Sequence, residues 1–163
     1  MQTGWQYLGN KWYYLRSSGA MATGWYQEGT TWYYLDQPNG DMKTGWQNLG
    51  NKWYYLRSSG AMATGWYQEG STWYYLDAEN GDMKTGWQYL GNNWYYLRSS
   101  GDMATGWVKD GSTWYYLHAN NGDMKTGWFQ VNGKWYYAYS SGALAVSTRV
   151  DGYYVNYNGE WVQ

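Results

Sequence analysis

The stretch that decides the fold is TGWQYLGNKWYYL, which occupies residues 3–15. Two runs rich in Trp, Tyr and Leu flank the pair Gly9-Asn10. Such residues favour strands, and Gly-Asn pairs supply the positive φ angles of a tight turn, so the stretch predicts a β-hairpin. Equivalent turns are expected at Glu28-Gly29, Glu69-Gly70, Asp110-Gly111 and Asn132-Gly133.

Tryptophan recurs along the chain with a fixed period. A Trp that follows Thr-Gly is followed, seven residues later, by a second Trp that opens a Trp-Tyr-Tyr triplet. Successive copies are 20 and 21 residues apart in alternation, so the larger unit is a pair of 41 residues. Fourteen of the 15 tryptophans form these seven pairs, and Trp161 stands outside them.

A single two-stranded hairpin is marginally stable in water, whereas hairpins in series bury their faces against one another. The sequence therefore predicts an all-β solenoid of seven to eight tandem hairpins over residues 1–145, with a degenerate repeat at 146–163. Strand alternation puts Trp12 and Tyr14 on one face of a hairpin and Tyr13 and Leu15 on the other. The methionines that follow the loop glycines are expected to join the packing: Met21, Met42, Met62, Met83, Met103 and Met124.

Composition excludes several classes of protein. The chain has no cysteine, a net charge of -1 and no long apolar run, which argues against disulfide scaffolds, nucleic-acid binders and membrane-spanning proteins. No secretory signal is read at the N-terminus, so we expect a trimmed module or a small protein without its signal. His118 stands where earlier copies have an aspartate such as Asp36, and we interpret it as a solvated loop residue rather than a catalytic one.

The aromatic content, 23% of the chain, has two interpretations. Tryptophan can fill the core of a small hairpin, because it buries much area per residue. Clusters of aromatic faces also hold a quaternary ammonium ion, since their ring quadrupoles attract its diffuse positive charge. Two Trp registers kept through seven copies favour a binding role in addition to a core.

The pattern Thr-Gly-Trp…Trp-Tyr-Tyr-Leu…Gly-Ala-Met-Ala-Thr-Gly-Trp resembles the choline-binding (cell-wall-binding) repeats of pneumococcal-type surface proteins and autolysins, over residues 3–145. The resemblance implies a left-handed β-solenoid without catalytic activity or cofactor. It implies choline or phosphocholine as ligand, carried by teichoic and lipoteichoic acids of the cell wall. It also implies an extracellular, wall-bound location, where such a module anchors a larger enzyme or adhesin.

By the same resemblance, each site combines the two tryptophans of one repeat with a tyrosine of the next, with a methionine nearby. We expect the third residue of the next triplet, because it shares a face with that triplet's Trp; the middle tyrosine is the alternative. The expected sets are Trp5, Trp12 and Tyr34; Trp25, Trp32 and Tyr55; Trp46, Trp53 and Tyr75; Trp66, Trp73 and Tyr96; Trp87, Trp94 and Tyr116; Trp107, Trp114 and Tyr137; and Trp128 with Trp135, which would need Tyr154.

The C-terminal segment departs from the pattern: Val146-Ser147-Thr148 replaces Thr-Gly-Trp and Gly152 stands in place of a Trp. We expect a cap on a monomer; the alternative is a dimerisation surface. Two other functions stay open from the residues alone. One is a carbohydrate-binding repeat module of the glucan type, because sugar rings also stack on Trp and Tyr, and the other is a structural spacer.

Overall fold

Antiparallel hairpins build the whole chain. The computed structural model describes residues 1–163, and its regular elements are all strands. No helix long and apolar enough to cross a membrane occurs. The predicted all-β class and the repeated hairpins are confirmed. The strands are β1 (Gly4–Leu8), β2 (Lys11–Leu15), β3 (Gly24–Glu28), β4 (Thr31–Leu35), β5 (Gly45–Leu49), β6 (Lys52–Leu56), β7 (Gly65–Glu69), β8 (Thr72–Leu76), β9 (Gly86–Leu90), β10 (Asn93–Leu97), β11 (Gly106–Asp110), β12 (Thr113–Leu117), β13 (Gly127–Val131), β14 (Lys134–Ala138), β15 (Thr148–Val150), β16 (Tyr153–Val155) and β17 (Trp161–Val162).

The chain divides into two units, Met1–Lys84 and Thr85–Gln163. The first holds the four hairpins from β1 to β8. The second holds the three hairpins from β9 to β14 and a three-stranded sheet, β15-β16-β17, at the C-terminus.

The first hairpin shows how sequence sets register. Trp5 lies opposite Tyr14, and the ladder ends where Leu8 faces Lys11. The two residues between, Gly9 and Asn10, have φ angles of 57° and 66°. Positive φ at both positions is the signature of a type I′ turn, whose twist matches that of the flanking strands. The expected Gly-Asn turn is confirmed.

In the second hairpin the turn lies one residue later than expected. Glu28 pairs with Thr31, so the loop residues are Gly29 and Thr30, and only Gly29 has positive φ, at 64°. Glycine at the first loop position alone is typical of a type II′ turn. Glu28 is therefore a strand residue. The same correction applies to the turns at Gly70 and Gly111.

The aliphatic core of each unit is built largely from single residues, one from a hairpin. The residue that ends the second strand has no exposed surface in most copies, and burying such a side chain stabilises the fold by about 2 kcal/mol. Loop alanines at alternate junctions are also buried, and one of them, Ala104, packs with Val108 and Leu117. The fully buried large residues are Leu35, Leu56, Leu76, Leu97, Leu117 and Val155.

Tight loops join each hairpin to the one before it. After Leu56, the Arg57 amide donates to the Ala61 carbonyl at 2.8 Å, which turns the chain back so that Met62 pairs with Leu56. The Met62 amide then donates to the carbonyl of Trp32, in the preceding hairpin, at 2.8 Å. Methionine is thus part of a backbone link between successive hairpins. Equivalent bonds join Met42 to Trp12, Met83 to Trp53, Met124 to Trp94 and Leu144 to Trp114.

One glycine in each loop makes room for the previous methionine. Gly60 has φ 91°, and a Cβ atom placed there would lie 2.9 Å from Met42 Cε and closer still to its sulfur. The position therefore requires glycine for both backbone conformation and space.

Candidate functional site

Each hairpin has two chemically different faces. Trp5 and Tyr14 are cross-strand partners, as are Tyr7 and Trp12, so all four side chains lie on one face. Tyr13 lies on the other face, opposite Gln6. The face that carries both tryptophans is called the Trp face below, and the face that carries the middle tyrosine of the triplet is called the middle-Tyr face.

Within each unit, the Trp face of one hairpin packs against the middle-Tyr face of the next. The ring centroids of Trp5 and Tyr33 are 5.0 Å apart with an interplanar angle of 66°, and those of Trp25 and Tyr54 match these values. Edge-to-face rings at this distance are in direct contact. The same contact joins Trp46 to Tyr74 at 5.0 Å, Trp87 to Tyr115 at 4.9 Å and Trp107 to Tyr136 at 4.9 Å.

The third tyrosine of the triplet packs elsewhere. Tyr34 lies 5.1 Å from Trp25, its cross-strand partner in its own hairpin, and not on the tryptophan of the hairpin before. The expected packing of the third tyrosine against the preceding repeat is thus corrected. The physical reason is that a residue sharing a face with its own Trp points toward the following hairpin. Tyr55, Tyr75, Tyr96, Tyr116 and Tyr137 likewise contact Trp46, Trp66, Trp87, Trp107 and Trp128 at 4.9–5.2 Å.

The two tryptophans of a repeat form a corner. Trp5 and Trp12 lie 6.4 Å apart at 81°, and Trp25 and Trp32 lie 6.3 Å apart at 86°. Trp12 keeps 42% of its surface exposed, although it belongs to an aromatic cluster. With the middle tyrosine of the next hairpin, each pair makes three aromatic walls around a space open to solvent, called a cage below.

Two cages between ordinary repeats enclose defined cavities. One, of about 330 Å³, is lined by Trp25, Trp32, Tyr54 and Met62, with a polar rim of Lys52, Glu79 and Asn80. The other, of about 310 Å³, is lined by Trp107, Trp114, Tyr136 and Leu144, with Val146, Tyr157 and Asn158 at its rim. The methionine or leucine reaches the cage because its amide is bonded to the carbonyl of the second tryptophan.

Several of the expected methionines, including Met62 on Gly81, pack against loop glycines. Met21 packs where a Cβ atom of Gly40 would be, and Met103 packs in the same way on Gly122. The expected set of Trp66, Trp73 and Tyr96 draws on both units and stays a prediction.

An acidic side chain lies beside the first tryptophan of every second cage. The indole Nε1 of Trp5 donates to Glu28 Oε1 at 3.2 Å, and that of Trp46 donates to Glu69 Oε1 at the same distance. In the second unit Trp87 donates to Asp110 at 2.9 Å and Trp128 to Asp151 at 3.2 Å. A carboxylate beside the first tryptophan adds negative potential to the aromatic walls, which favours a cation.

Two of the cage tyrosines, Tyr54 and Tyr136, have raised pKa values. Burial raises the pKa of Tyr54 above its ordinary value, and the charge of Asp82 adds to the effect. Burial and the charge of Glu160 likewise raise the pKa of Tyr136. These rings therefore stay uncharged at neutral pH.

The C-terminal segment contributes to a cage of its own. Tyr153 lies 5.9 Å from Trp128, and Trp161 lies 5.8 Å from Tyr153. Together with Trp135 they line a cavity of about 330 Å³. The tyrosine beside the tryptophan pair is thus Tyr153, and not the expected Tyr154, because Tyr154 lies on the outer face of its hairpin.

In the last hairpin, the face that corresponds to the Trp face carries an arginine side chain. Arg149 is the cross-strand partner of Tyr154, so it occupies the place that the first tryptophan holds in other hairpins. Its guanidinium carbon lies 5.9 Å from the Tyr154 ring centroid. Thr148, which simple counting aligns with that tryptophan, instead takes the position of the glycine before it.

Reasoning from the sequence missed three kinds of site residue. The middle tyrosines were left as the alternative, Trp161 was left outside the repeats, and the acids that accept from indole N–H groups were assigned to turns. The position of Trp161 could have been predicted from spacing, because it follows Tyr153 by eight residues, as Met62 follows Tyr54.

His118 has a structural environment. Its Nδ1 accepts the backbone amides of Asn120 and Asn121 at 3.1 and 3.2 Å. The carboxylate of Asp77 accepts the Asn80 amide in the same loop of an earlier repeat, and this bond lowers the pKa of Asp77. His118 thus closes its loop as an aspartate does. No group of three or more His, Cys, Asp or Glu side chains is arranged to hold a metal ion.

Comparisons with known proteins agree with this geometry. The family model described as a choline-binding repeat matches residues 2–44, 43–85 and 84–129, and one described as a putative cell wall binding repeat matches 126–144. A comparison with curated protein sequences finds no match.

Solved structures from pneumococcus and its phage are similar to the chain. CbpJ from Streptococcus pneumoniae TIGR4 is 72% identical with a TM-score of 0.97, over 99% of this chain and 58% of CbpJ. Choline binding protein F of Streptococcus pneumoniae, crystallised with a peptidoglycan analogue, is 65% identical with a TM-score of 0.96, over 99% of this chain and 58% of that one. The cell wall endolysin from phage Cp-1, in complex with choline, is 37% identical with a TM-score of 0.54, over 76% of this chain and 37% of the endolysin.

The chain thus spans 58% of the length of CbpJ and of choline binding protein F. Three successive matches to one repeat model cover far more than half of its residues. The chain therefore belongs to the choline-binding repeat family.

Proposed function

We propose that the chain is a non-catalytic module that attaches to choline groups on teichoic and lipoteichoic acids of the bacterial cell wall. The observation that carries the proposal is the cage of two tryptophans and the next hairpin's middle tyrosine, as in Trp25, Trp32 and Tyr54. The family and its choline-bound phage relative support the same ligand.

The chemistry of the cage suits a trimethylammonium group. Such a group has no hydrogen-bond donor and a diffuse charge, so it gains from aromatic faces rather than from a salt bridge. Each cation–π contact contributes roughly 0.5–2 kcal/mol, depending on how far water is excluded. The choline hydroxyl or its phosphate ester would point through the open side of the cage toward solvent.

Repetition of the cage raises the overall affinity for a polymer. A small cation in one cage binds weakly, but a polymer with many cholines presents the next one at high effective concentration, so avidity rises with the number of cages. A left-handed solenoid of seven to eight hairpins, with residues 1–145 as the binding row and 146–163 closing it, is the arrangement we propose for this purpose. The chain would act outside the cell as a monomer and anchor whatever protein contains it.

A choline resin tests the class of ligand. The chain should be retained on immobilised choline or a tertiary amine, and free choline should elute it. Elution by glucose oligomers but not by choline would replace the proposal with carbohydrate binding, and passage without retention would leave only a spacer.

Two variants of Tyr54 test the cage by titration calorimetry with choline. Tyr54→Ala removes one aromatic wall beside Trp25, so we expect the stoichiometry to fall by about one site. Tyr54→Phe keeps the ring and should keep the stoichiometry. Equal stoichiometry in the Ala and Phe variants would contradict the assignment of the middle tyrosine.

A further inference from the structure

Trp161 is the one tryptophan outside the repeat registers, yet it has a defined place in the fold. It pairs with Val155 in the last sheet, as Met62 pairs with Leu56 in an ordinary loop. The Asn156 amide donates to the Glu160 carbonyl at 2.9 Å and turns the chain back just before it, as Arg57 does before Met62. Trp161 therefore stands where other loops carry methionine.

The cavity beside it differs from the other cages in its lining. Four aromatic residues line it, Trp128, Trp135, Tyr153 and Trp161, with no polar or aliphatic side chain among them. Trp128 meets Tyr153 at an interplanar angle of 88°, and Tyr153 meets Trp161 at 88° as well. These perpendicular rings enclose one cavity, with ring faces on some sides and ring edges on others.

Charged residues of both signs adjoin the residues that line this cavity. Lys134, next to Trp135 in the chain, is paired with Glu160, next to Trp161, at 2.7 Å. The carboxylate of Asp151 is held against the Trp128 edge by a 3.2 Å hydrogen bond. Arg149, the one basic residue of segment 146–163, lies over Tyr154 on the opposite face of the hairpin. No positive side chain competes with a ligand inside the cavity.

We propose that Trp161 is a ligand-binding residue, the fourth aromatic wall of a terminal cage that binds a quaternary ammonium ion more tightly than the cages between ordinary repeats. This inference rests on the proposed function. It gives segment 146–163 a binding role in addition to closing the row of hairpins.

The terminal cage is compared with the preceding cage of the same unit, that of Trp107, to predict which binds the cation more tightly. The preceding cage has Leu144 at the position of Trp161, and Leu144 offers no quadrupole to a cation. A fourth aromatic residue, Tyr157, also lines that cavity, but it is 77% exposed and stands in a different position from Trp161. Tryptophan is the aromatic side chain with the strongest cation–π attraction. One added contact of this kind corresponds to roughly a 2- to 30-fold gain in affinity.

Labelling the full chain with 5-fluorotryptophan gives a readout for each cage by fluorine NMR. The resonances of Trp161, Trp128 and Trp107 are assigned from the single variants W161F, W128F and W107F, and choline is then titrated at neutral pH. We expect the Trp161 and Trp128 resonances to shift with a common midpoint, at lower choline concentration than the Trp107 resonance.

The matched variant Trp161→Met gives the terminal cage the residue that ordinary loops carry. We expect it to raise the midpoint of the Trp128 resonance roughly 2- to 30-fold and to leave that of Trp107 unchanged. If Trp161→Met folds poorly, the titration of the native chain still tests the proposal, because the Trp161 resonance reports directly on the terminal cage.

The outcomes separate the two proposals. If Trp107 shifts with choline while Trp161 and Trp128 do not, the terminal cage is not a ligand site and this inference fails alone. A Trp161 midpoint equal to or above that of Trp107, or no change of the Trp128 midpoint in Trp161→Met, also overturns it. If no tryptophan resonance responds to choline, the proposed function itself fails.

Discussion

At the scale of single residues, a hairpin assigns its aromatic side chains and its aliphatic side chains to different tasks. Trp12 stays 42% exposed in an aromatic corner, whereas Leu56 has no exposed surface. The leucine excludes water completely, so its contribution is hydrophobic burial. The tryptophan keeps a face open, so its ring remains available to a ligand.

Truncation of the buried leucine tests this division. Leu56→Ala should lower the free energy of unfolding by about 2–4 kcal/mol, because it removes buried methyl groups and leaves a cavity. Leu8→Ala is the control, since Leu8 is 58% exposed, and it should cost about 0.5 kcal/mol or less. Chemical denaturation of both variants measures the difference, and equal losses would argue against the core described above.

At the scale of elements, the loop after a hairpin is as well determined as the hairpin itself. It turns back through one amide-to-carbonyl bond, places a methionine amide on the tryptophan carbonyl of the preceding hairpin, and leaves room for a side chain above its glycine. The loop thus positions one wall of a cage and fixes the distance between two hairpins.

Two glycines with positive φ separate backbone strain from crowding. Gly50 has φ 61° and open space around it, so Gly50→Ala should cost about 1 kcal/mol for the left-handed conformation. Gly60 has φ 91° and lies against Met42, so Gly60→Ala should cost at least twice as much. Thermal unfolding measures both, and a Gly60→Ala chain as stable as Gly50→Ala would show that the methionine moves aside freely.

At the scale of the whole molecule, four tyrosines in different hairpins share a response to pH. Burial raises the pKa of Tyr26, Tyr54, Tyr67 and Tyr136 above the ordinary value of 10.0. Tyr26 and Tyr67 are also stacked on Tyr14 and Tyr55, with centroids 4.1 and 4.2 Å apart.

These shifts predict loss of stability in alkali. The folded chain holds these phenol protons more tightly than the unfolded chain does, so their contribution is fully present below pH 10 and is lost as the pH rises above it. Denaturation midpoints should fall from pH 10 upward, in parallel with phenolate absorbance. A midpoint that rises above pH 10 would contradict the sign of this coupling.

Much of the fold follows from local sequence, because the hairpin depends on residues close together in the chain. The Gly9-Asn10 turn, the Trp–Tyr rungs and the all-β class could be predicted from spacing alone. The turn at Gly29 shifted by one residue, because Glu-Gly and Gly-Thr are both acceptable to local rules and cross-strand pairing selects between them.

The partner of each tryptophan pair could not be predicted in the same way. Alternation shows that Tyr33 and Tyr34 lie on opposite faces, but it does not show which face turns toward the preceding hairpin. That choice depends on packing between hairpins about 20 residues apart. The position of Arg149 opposite Tyr154 could not be predicted for a related reason. The last hairpin is shorter, and counting along the sequence places Thr148 there instead.

The hydrogen bond from Trp5 to Glu28 recurs from Trp46 to Glu69, at every second junction of the first unit. A junction of this type needs a Trp face from one kind of repeat and an acid from the other, so the two kinds are complementary. Duplication of a 41-residue pair preserves this alternation of junctions, whereas duplication of a single repeat interrupts it. Copying of pairs agrees with the near-identity of residues 3–43 and 44–84, which differ at four positions.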